Sequence, residues 1–369
     1  MKGARRLRLF MTTDAVGGVW TYALDLASEL AKAGVQTTLA VLGPKPDEDQ
    51  LEAAEDIPRL ELLETGLPLD WTAESAGELK AAARLVAGLA RKHQADNVHL
   101  NGVTLAAYAE FDAPVIGAAH SCVGTWWDHA KGGRLPPDFR WRVEALGKGY
   151  AACDALLSPS QAFAEATAKR HKVETPKVVH NGRRHAAPRG PKSDTLIFTA
   201  GRLWDAGTNL ATLDRAAARL DVPVFAAGAL QSPTGELAKL EHLRLLGRLT
   251  ETEIGDWMGR ARIFVSPALY EPFGLSALEA AQAGCALVFS DIPTFHELWE
   301  GAAVFAPARD EAALADLLQS LLDDPKRAQD LGRAARERSK DYTVAAMAAG
   351  TLAIYREALA AAELKEAAA

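Results

Sequence analysis

Cysteine is scarce in this 369-residue chain: Cys122, Cys153 and Cys285 stand far apart with no C-x-x-C spacing. That excludes a disulfide scaffold and a zinc module and agrees with a reducing, cytoplasmic compartment. Long apolar runs are also lacking. No stretch reaches the roughly 18 apolar residues of a spanning helix, and the basic start MKGARRLRLF leads into too short an apolar run for a signal peptide. The expectation is a chain neither exported nor integral to a membrane. Excess basic charge is absent as well. The 41 Lys and Arg are outnumbered by 48 Asp and Glu, a formal charge of -7, which disfavours a dedicated nucleic-acid binder because phosphate affinity needs basic surface. The motifs HExxH, GxSxG, Walker and GxGxxG do not occur, so hydrolase, nucleotide-triphosphatase and NAD-dehydrogenase readings have no anchor.

What is present, 49% hydrophobic residues with 29 Gly and 18 Pro, describes a globular chain long enough for two domains. Residues 8–12 read as a strand, 14–18 as a turn and 19–32 as a helix, with Leu24, Ala27, Leu30 and Ala31 on one face before Gly34 stops it. Further strands are expected at 35–42, 97–101, 114–119, 154–158 and 177–180, with helical stretches between them, which makes a mostly parallel sheet covered on both faces. The segment 180–194, HNGRRHAAPRGPKSD, interrupts this with Gly, Pro and charge, as a linker does. A second series follows, with strands at 195–200, 222–227, 243–246, 262–266, 286–290 and 303–305 and helices near 209–220, 250–259 and 275–283, making a second doubly wound unit. Only helical patterns remain after it, at 310–323, 325–338 and 344–366.

The sharpest chemical signal is Tyr270-Glu271-Pro272-Phe273-Gly274-Leu275-Ser276-Ala277-Leu278-Glu279, which follows a buried strand and opens an amphipathic helix. The first amides of a helix lack partners and its dipole is positive there, so such a turn attracts phosphate, and Gly274 lets a ligand approach the backbone. Eight residues of helix span about 12 Å, too far for an acid and base acting on one glycosidic bond but suited to gripping two hydroxyl-rich ends around a diphosphate. The plainer reading makes Glu271 a loop residue and Glu279 a solvated helix position.

With this E-x7-E pair the chain resembles the family-4 retaining glycosyltransferases of GT-B fold. Gly17-Gly18-Val19, His120, His180-Asn181-Gly182, Gly201-Arg202-Leu203 and Gly284-Cys285-Ala286-Leu287-Val288 resemble that family's landmarks in the same order, nearly end to end. The resemblance implies an α/β architecture of two facing Rossmann-like doubly wound domains with an interdomain cleft. Residues 1–185 would form the acceptor-side domain and 186–344 the nucleotide-sugar domain, with a final helix at about 345–369 returning to the first. It also implies that Glu279 holds the ribose hydroxyls, that Glu271 and the backbone of Phe273, Gly274 and Leu275 meet sugar and diphosphate, and that Arg248 and Leu249 sit against the base. His120 would stand near the donor sugar, and Gly17 and Gly18 would let the first loop approach it. Arg202 follows a strand at the carboxyl edge of its sheet, where its guanidinium can stabilise the departing diphosphate. A sheet-edge Arg paired with a carboxylate is its plainer reading.

One position departs from the family. Relatives usually carry a Lys in the loop after the Gly-Arg pair, and GRLWDAGTNL has Thr208 there, whose hydroxyl cannot supply that charge. Elsewhere, Trp126, Trp127 and Trp141 lie in a basic region: residues 129–192 hold 13 Lys and Arg against 5 Asp and Glu. That combination fits sugar stacking or peripheral contact with the inner face of a membrane, and equally a solvated helix face over core Trp. Asp47-Glu48-Asp49 spells D-x-D but reads best as an acidic helix start.

The expected activity is metal-free transfer, with no cofactor, of a sugar from a nucleotide diphosphate sugar to a hydroxyl of a glycan, lipid or small molecule, with retained configuration. Glu271, His120 and Arg202 are the catalytic candidates. Gly17, Gly18, Thr208, Arg248, Leu249, Phe273, Gly274, Leu275 and Glu279 are the binding candidates. The rivals are a catalytically impaired nucleotide-sugar-binding protein, which would bind without transfer or hydrolysis, and a nucleotide-sugar epimerase, which would alter the donor with no acceptor present.

Overall fold

The computed structural model describes residues 6–184, 191–232, 235 and 237–368. The chain divides into two compact units. Unit 1 comprises Met1–Thr125, Gly133–Gly182 and Val344–Ala369; unit 2 comprises Trp126–Gly132 and Arg183–Thr343.

Unit 1 is built on seven parallel strands: β1 (Arg8–Asp14), β2 (Gln36–Leu42), β3 (Leu60–Glu64), β4 (Asn97–Leu100), β5 (Val115–Ala118), β6 (Ala155–Ser158) and β7 (Lys177–Val178), in the order β3-β2-β1-β4-β5-β6-β7. The helices are α1 (Gly18–Lys32), α2 (Glu48–Glu55), α3 (Ala76–Lys92), α4 (Val123–Trp126), α5 (Pro137–Ala152) and α6 (Gln161–His171). Near-continuous burial of RLFMTTD in β1 reflects a central parallel strand covered on both faces. Helix α1 buries Trp20, Ala23, Leu26, Ala27 and Leu30. Asp47 begins α2 with a capping box to Gln50, and Glu48 and Asp49 stand in the first turn, the acidic helix start expected of this stretch. Strand β3 was not expected: LELLE carries a Glu at each exposed position and no β-branched residue, so only its place at the sheet edge marks it as a strand.

Unit 2 has six parallel strands, β8 (Ser193–Ala200), β9 (Val224–Ala227), β10 (Arg244–Gly247), β11 (Ala261–Ser266), β12 (Ala286–Ser290) and β13 (Ala303–Ala306), ordered β10-β9-β8-β11-β12-β13. Its helices are α7 (Leu210–Ala217), α8 (Glu251–Arg260), α9 (Leu275–Gln282), α10 (Pro293–Trp299), α11 (Glu311–Asp323) and α12 (Pro325–Arg338). One apolar cluster, with Phe198, Phe264, Leu278, Phe289, Phe295 and Trp299, is matched by a second with Ile197, Leu213, Val265, Val288 and Leu318, so alternate residues of each strand serve opposite faces. The linker expected at 180–194 gives up its last two residues to β8, and residues 185–190 lie outside those described.

The last helix, α13 (Val344–Ala368), corrects an expectation. The helical stretch 325–367 holds a window long and apolar enough to cross a membrane, where no such run was expected. Val344, Met347, Ala348, Ile354, Tyr355 and Ala358 of α13 are nevertheless buried with Leu9, Leu26 and Leu30 in the unit 1 core. Alanine between those residues raises the hydropathy of a helix whose buried face packs on protein.

Candidate active site

In an open parallel sheet, neighbouring strands whose crossovers leave in opposite directions form a crevice beyond their carboxyl ends. Unit 1 has this switch point between β1 and β4, and unit 2 between β8 and β11. The loops that follow those strands carry Gly17 and Asn101 in unit 1 and Arg202 and Glu271 in unit 2.

In unit 2 the two loops are stitched together. Asp205, 7% exposed, directs Oδ2 to Arg202 at 3.0 Å, while its Oδ1 accepts from the Gly207 amide and the Trp126 indole N–H, each at 2.8 Å. The Gly207 carbonyl accepts the Leu269 amide at 2.8 Å, and the Asn209 side-chain amide donates to the Pro267 and Ala308 carbonyls at 2.8 and 2.6 Å. These bonds hold Arg202 and the loop leading to Glu271 in one arrangement before any ligand arrives. Arg202 remains half exposed, with its guanidinium 5.7 Å from the Trp204 ring centre. Thr208 turns its hydroxyl back onto the Arg202 and Asp205 carbonyls at 3.0 and 2.7 Å, so it closes the loop rather than offering a group to solvent.

Glu271 is half-buried, and burial pushes its carboxyl above the usual range, an effect that the Arg202 charge opposes. Gly274, at φ +90, takes the left-handed conformation that turns the chain into α9, and Phe273 behind it is buried against Tyr342. Leu275 opens the helix. Glu279, one turn on, is held by Arg183, whose Nε lies 2.6 Å from Glu279 Oε1 while its NH2 lies 2.6 Å from Glu251. Burial raises the Glu279 carboxyl, and Arg183 acts against this. Arg248 is exposed and Leu249 half-buried between β10 and α8. Gly228 serves the protein itself: at φ +144, a methyl group there would lie 1.8 Å from the Gly201 carbonyl oxygen.

In unit 1, Gly17 is the N-cap of α1 with an extended φ of −167, open to any residue, and a methyl group there meets no atom within 4 Å. Gly18 is the first residue of α1. The Asp14 carboxylate shapes their turn by accepting the Val16 amide at 2.8 Å. His120, after β5, packs edge-on against Tyr22 and bonds Asn101 at 2.7 Å. Sequence reading missed Asn101, Arg183 and Asp205: Asn101 and Arg183 act through partners far along the chain, and Asp205 joins its neighbours Arg202 and Gly207 to the distant Trp126. Trp126 donates its indole N–H to Asp205 and carries Lys131 5.9 Å from its ring centre within unit 2.

Two parallel-sheet units of these orders define the GT-B class of glycosyltransferase, and known proteins agree. Residues 16–186 match the family described as Glycosyltransferase Family 4, and residues 191–338 the one described as Glycosyl transferases group 1. The chain belongs to the family-4 glycosyltransferases. It is 42% identical over 119 residues to a glycogen synthase of Mycobacterium tuberculosis, an overlap of 31% of this chain and 29% of that protein. It is 27% identical to an MMP alpha-(1->4)-mannosyltransferase of Mycolicibacterium hassiacum, with 93% of this chain and 95% of that protein covered. The sucrose-phosphate synthase structure from Thermosynechococcus elongatus superposes with a TM-score of 0.81 at 19% identity, covering 96% of this chain and all of that one.

Proposed function

We propose that this glycosyltransferase moves a sugar from a nucleotide diphosphate sugar to an acceptor hydroxyl with retention of anomeric configuration. The observation that carries the reading is the stitched pair of loops at the unit 2 switch point, with the Arg202 charge acting on Glu271 and Glu271 facing the amides that lead into α9. A fixed guanidinium stabilises charge that grows on a departing diphosphate without reorganising, and free helix amides add to it. In this reading Glu279 accepts from the ribose diol, Arg248 and Leu249 face the base, and Glu271 with the Phe273, Gly274 and Leu275 backbone orients the sugar. The acceptor oxygen bonds to the anomeric carbon on the face from which the diphosphate leaves. The carbon–oxygen bond to the β-phosphate breaks, and the acceptor proton passes to the departing phosphate oxygen.

The inward-turned Thr208 hydroxyl favours a second reading, a nucleotide-sugar binder with little turnover. One experiment separates the two. UDP-glucose, ADP-glucose and GDP-mannose are screened for thermal stabilisation, and the stabilising donor is incubated with glycan, lipid and small-molecule acceptors, with and without chelator. The expected result is an α-linked product by NMR and mass spectrometry at a rate insensitive to chelator. Stabilisation with neither transfer nor donor hydrolysis supports the binder.

A further inference from the structure

The hydrogen bonds beneath His120 determine which of its nitrogens is left for a ligand. The Asn101 side-chain amide donates from Nδ2 to the Thr12 carbonyl at 2.8 Å, and its backbone N–H donates to Thr12 Oγ1 at 3.0 Å. Those bonds orient the amide, so Asn101 Oδ1 is an acceptor. Two imidazoles converge on it: His120 Nε2 at 2.7 Å and His99 Nε2 at 3.0 Å. An acceptor flanked by two ring nitrogens requires both to carry hydrogen. His99 Nδ1 then accepts from the Tyr355 hydroxyl of α13, 2.7 Å away. For neutral rings Thr12, Asn101, His99 and Tyr355 thus form one chain of donors and acceptors with a single consistent assignment, ending at a partly exposed His120 whose Nδ1 bonds no described residue.

Resting on the transferase reading, we propose that Asn101 is a positioning residue that locks His120 as a neutral Nε2–H imidazole. Its Nδ1 takes a hydrogen bond from a hydroxyl of the bound sugar or acceptor. The ligand chemistry follows from the lock. An acceptor-only nitrogen favours a hydroxyl there, gives a carboxylate or phosphate oxygen nothing to bind, and makes His120 no source of protons for the leaving group. The surroundings agree: burial, and secondarily His99, push the His120 imidazolium down to about 3, and burial pushes His99 down to about 4. The titratable groups facing it are His99 of β4 and Tyr22 of α1, with Tyr355 of α13 behind His99, and no carboxylate of the described residues acts on it.

The test needs no substrate at first. Long-range nitrogen–proton NMR of the full chain labelled with ¹⁵N-histidine, with His120 assigned by loss of its signals in His120→Gln, reports tautomer and charge. The expected result is a neutral Nε2–H ring for His120 throughout pH 5 to 8. An Nδ1–H tautomer, or titration near 6.5, overturns the proposal whether or not the protein transfers sugar. Asn101→Asp places a carboxylate between the rings and should bring His120 protonation into the neutral range. With UDP-glucose or ADP-glucose as donor, that variant should lose about tenfold in kcat/KM between pH 8 and 6, while wild type stays within about twofold. An Asn101→Asp variant that folds and leaves both the tautomer and the pH profile unchanged also overturns it. A locked tautomer with no transfer to any acceptor instead counts against the transferase reading alone.

Discussion

Glu279 is held by a residue 96 positions earlier in the chain, and that pairing makes a residue-scale prediction. Arg183 and Glu279 side chains are only 7% and 13% exposed, so removing one partner leaves a largely buried charge. Arg183→Met should lower stability by about 3 kcal/mol in urea unfolding. It should also make nucleotide affinity fall toward acid pH, because a carboxyl already raised by burial rises further without its guanidinium and becomes protonated. Arg183→Lys should recover part of both, and an affinity as pH-independent as wild type would show that Glu279 does not bind as an ion. Thr208 makes the opposite kind of case. Its one hydroxyl hydrogen is shared between two carbonyls, a hydrogen bond worth about 1 kcal/mol, so Thr208→Lys should cost that order in stability. If a cation is what the loop lacks, the same change should speed transfer by up to about 10²-fold, measured at saturating donor. No change in rate would show that the α9 amides and Arg202 already suffice.

Two glycines at element ends separate protein packing from ligand packing. Gly228, after β9, faces the Gly201 carbonyl, and Gly228→Ala should destabilise unit 2 by about 2 kcal/mol or more, visible as a lower Tm. Gly17, capping α1, has empty space where a methyl group would go. Gly17→Ala should therefore leave stability within about 0.5 kcal/mol and instead raise KM for the donor or acceptor, and an unchanged KM would place the ligand away from this turn. At this scale most of the fold was legible. The strands β1, β2, β8, β11 and β12 announce themselves through continuous apolar runs, and α9 through the spacing after Gly274. Edge strand β3 and the short helix α10 did not, because an edge strand of charged and leucine residues and a seven-residue helix carry too few positions for a period to show.

Across the whole molecule, the buried histidines tie stability to pH. His99 is fully buried and its imidazolium lies near 4 against about 6.5 in an unfolded chain, so the folded state prefers the neutral ring. The unfolded state binds the proton first. Stability is therefore complete above pH 6.5 and declines as pH falls toward 4, by about 2 kcal/mol at pH 5 from His99 alone. Urea unfolding at pH 7.5 and 5 of wild type and His99→Gln should show the variant losing less stability on acidification, by about that amount. An unchanged slope in the variant would mean that His99 is already charged in the folded protein.

Taken by itself, the sequence determined the alternation of strand and helix, the parallel character of both sheets and the family resemblance through Glu271 and Glu279. These properties live in local composition and in periods of two and 3.6 residues, which a chain carries wherever it folds. Tertiary structure decided the rest. It brought Arg183 to Glu279, Trp126 to Asp205 across 79 positions, and Tyr355 to His99 across 256. Hydrophobic periodicity says which face of an element is buried but not which polar atom waits there. Partner, tautomer and charge of a buried group are set by the few atoms within hydrogen-bond reach, and only the packed sheets and α13 bring those atoms together.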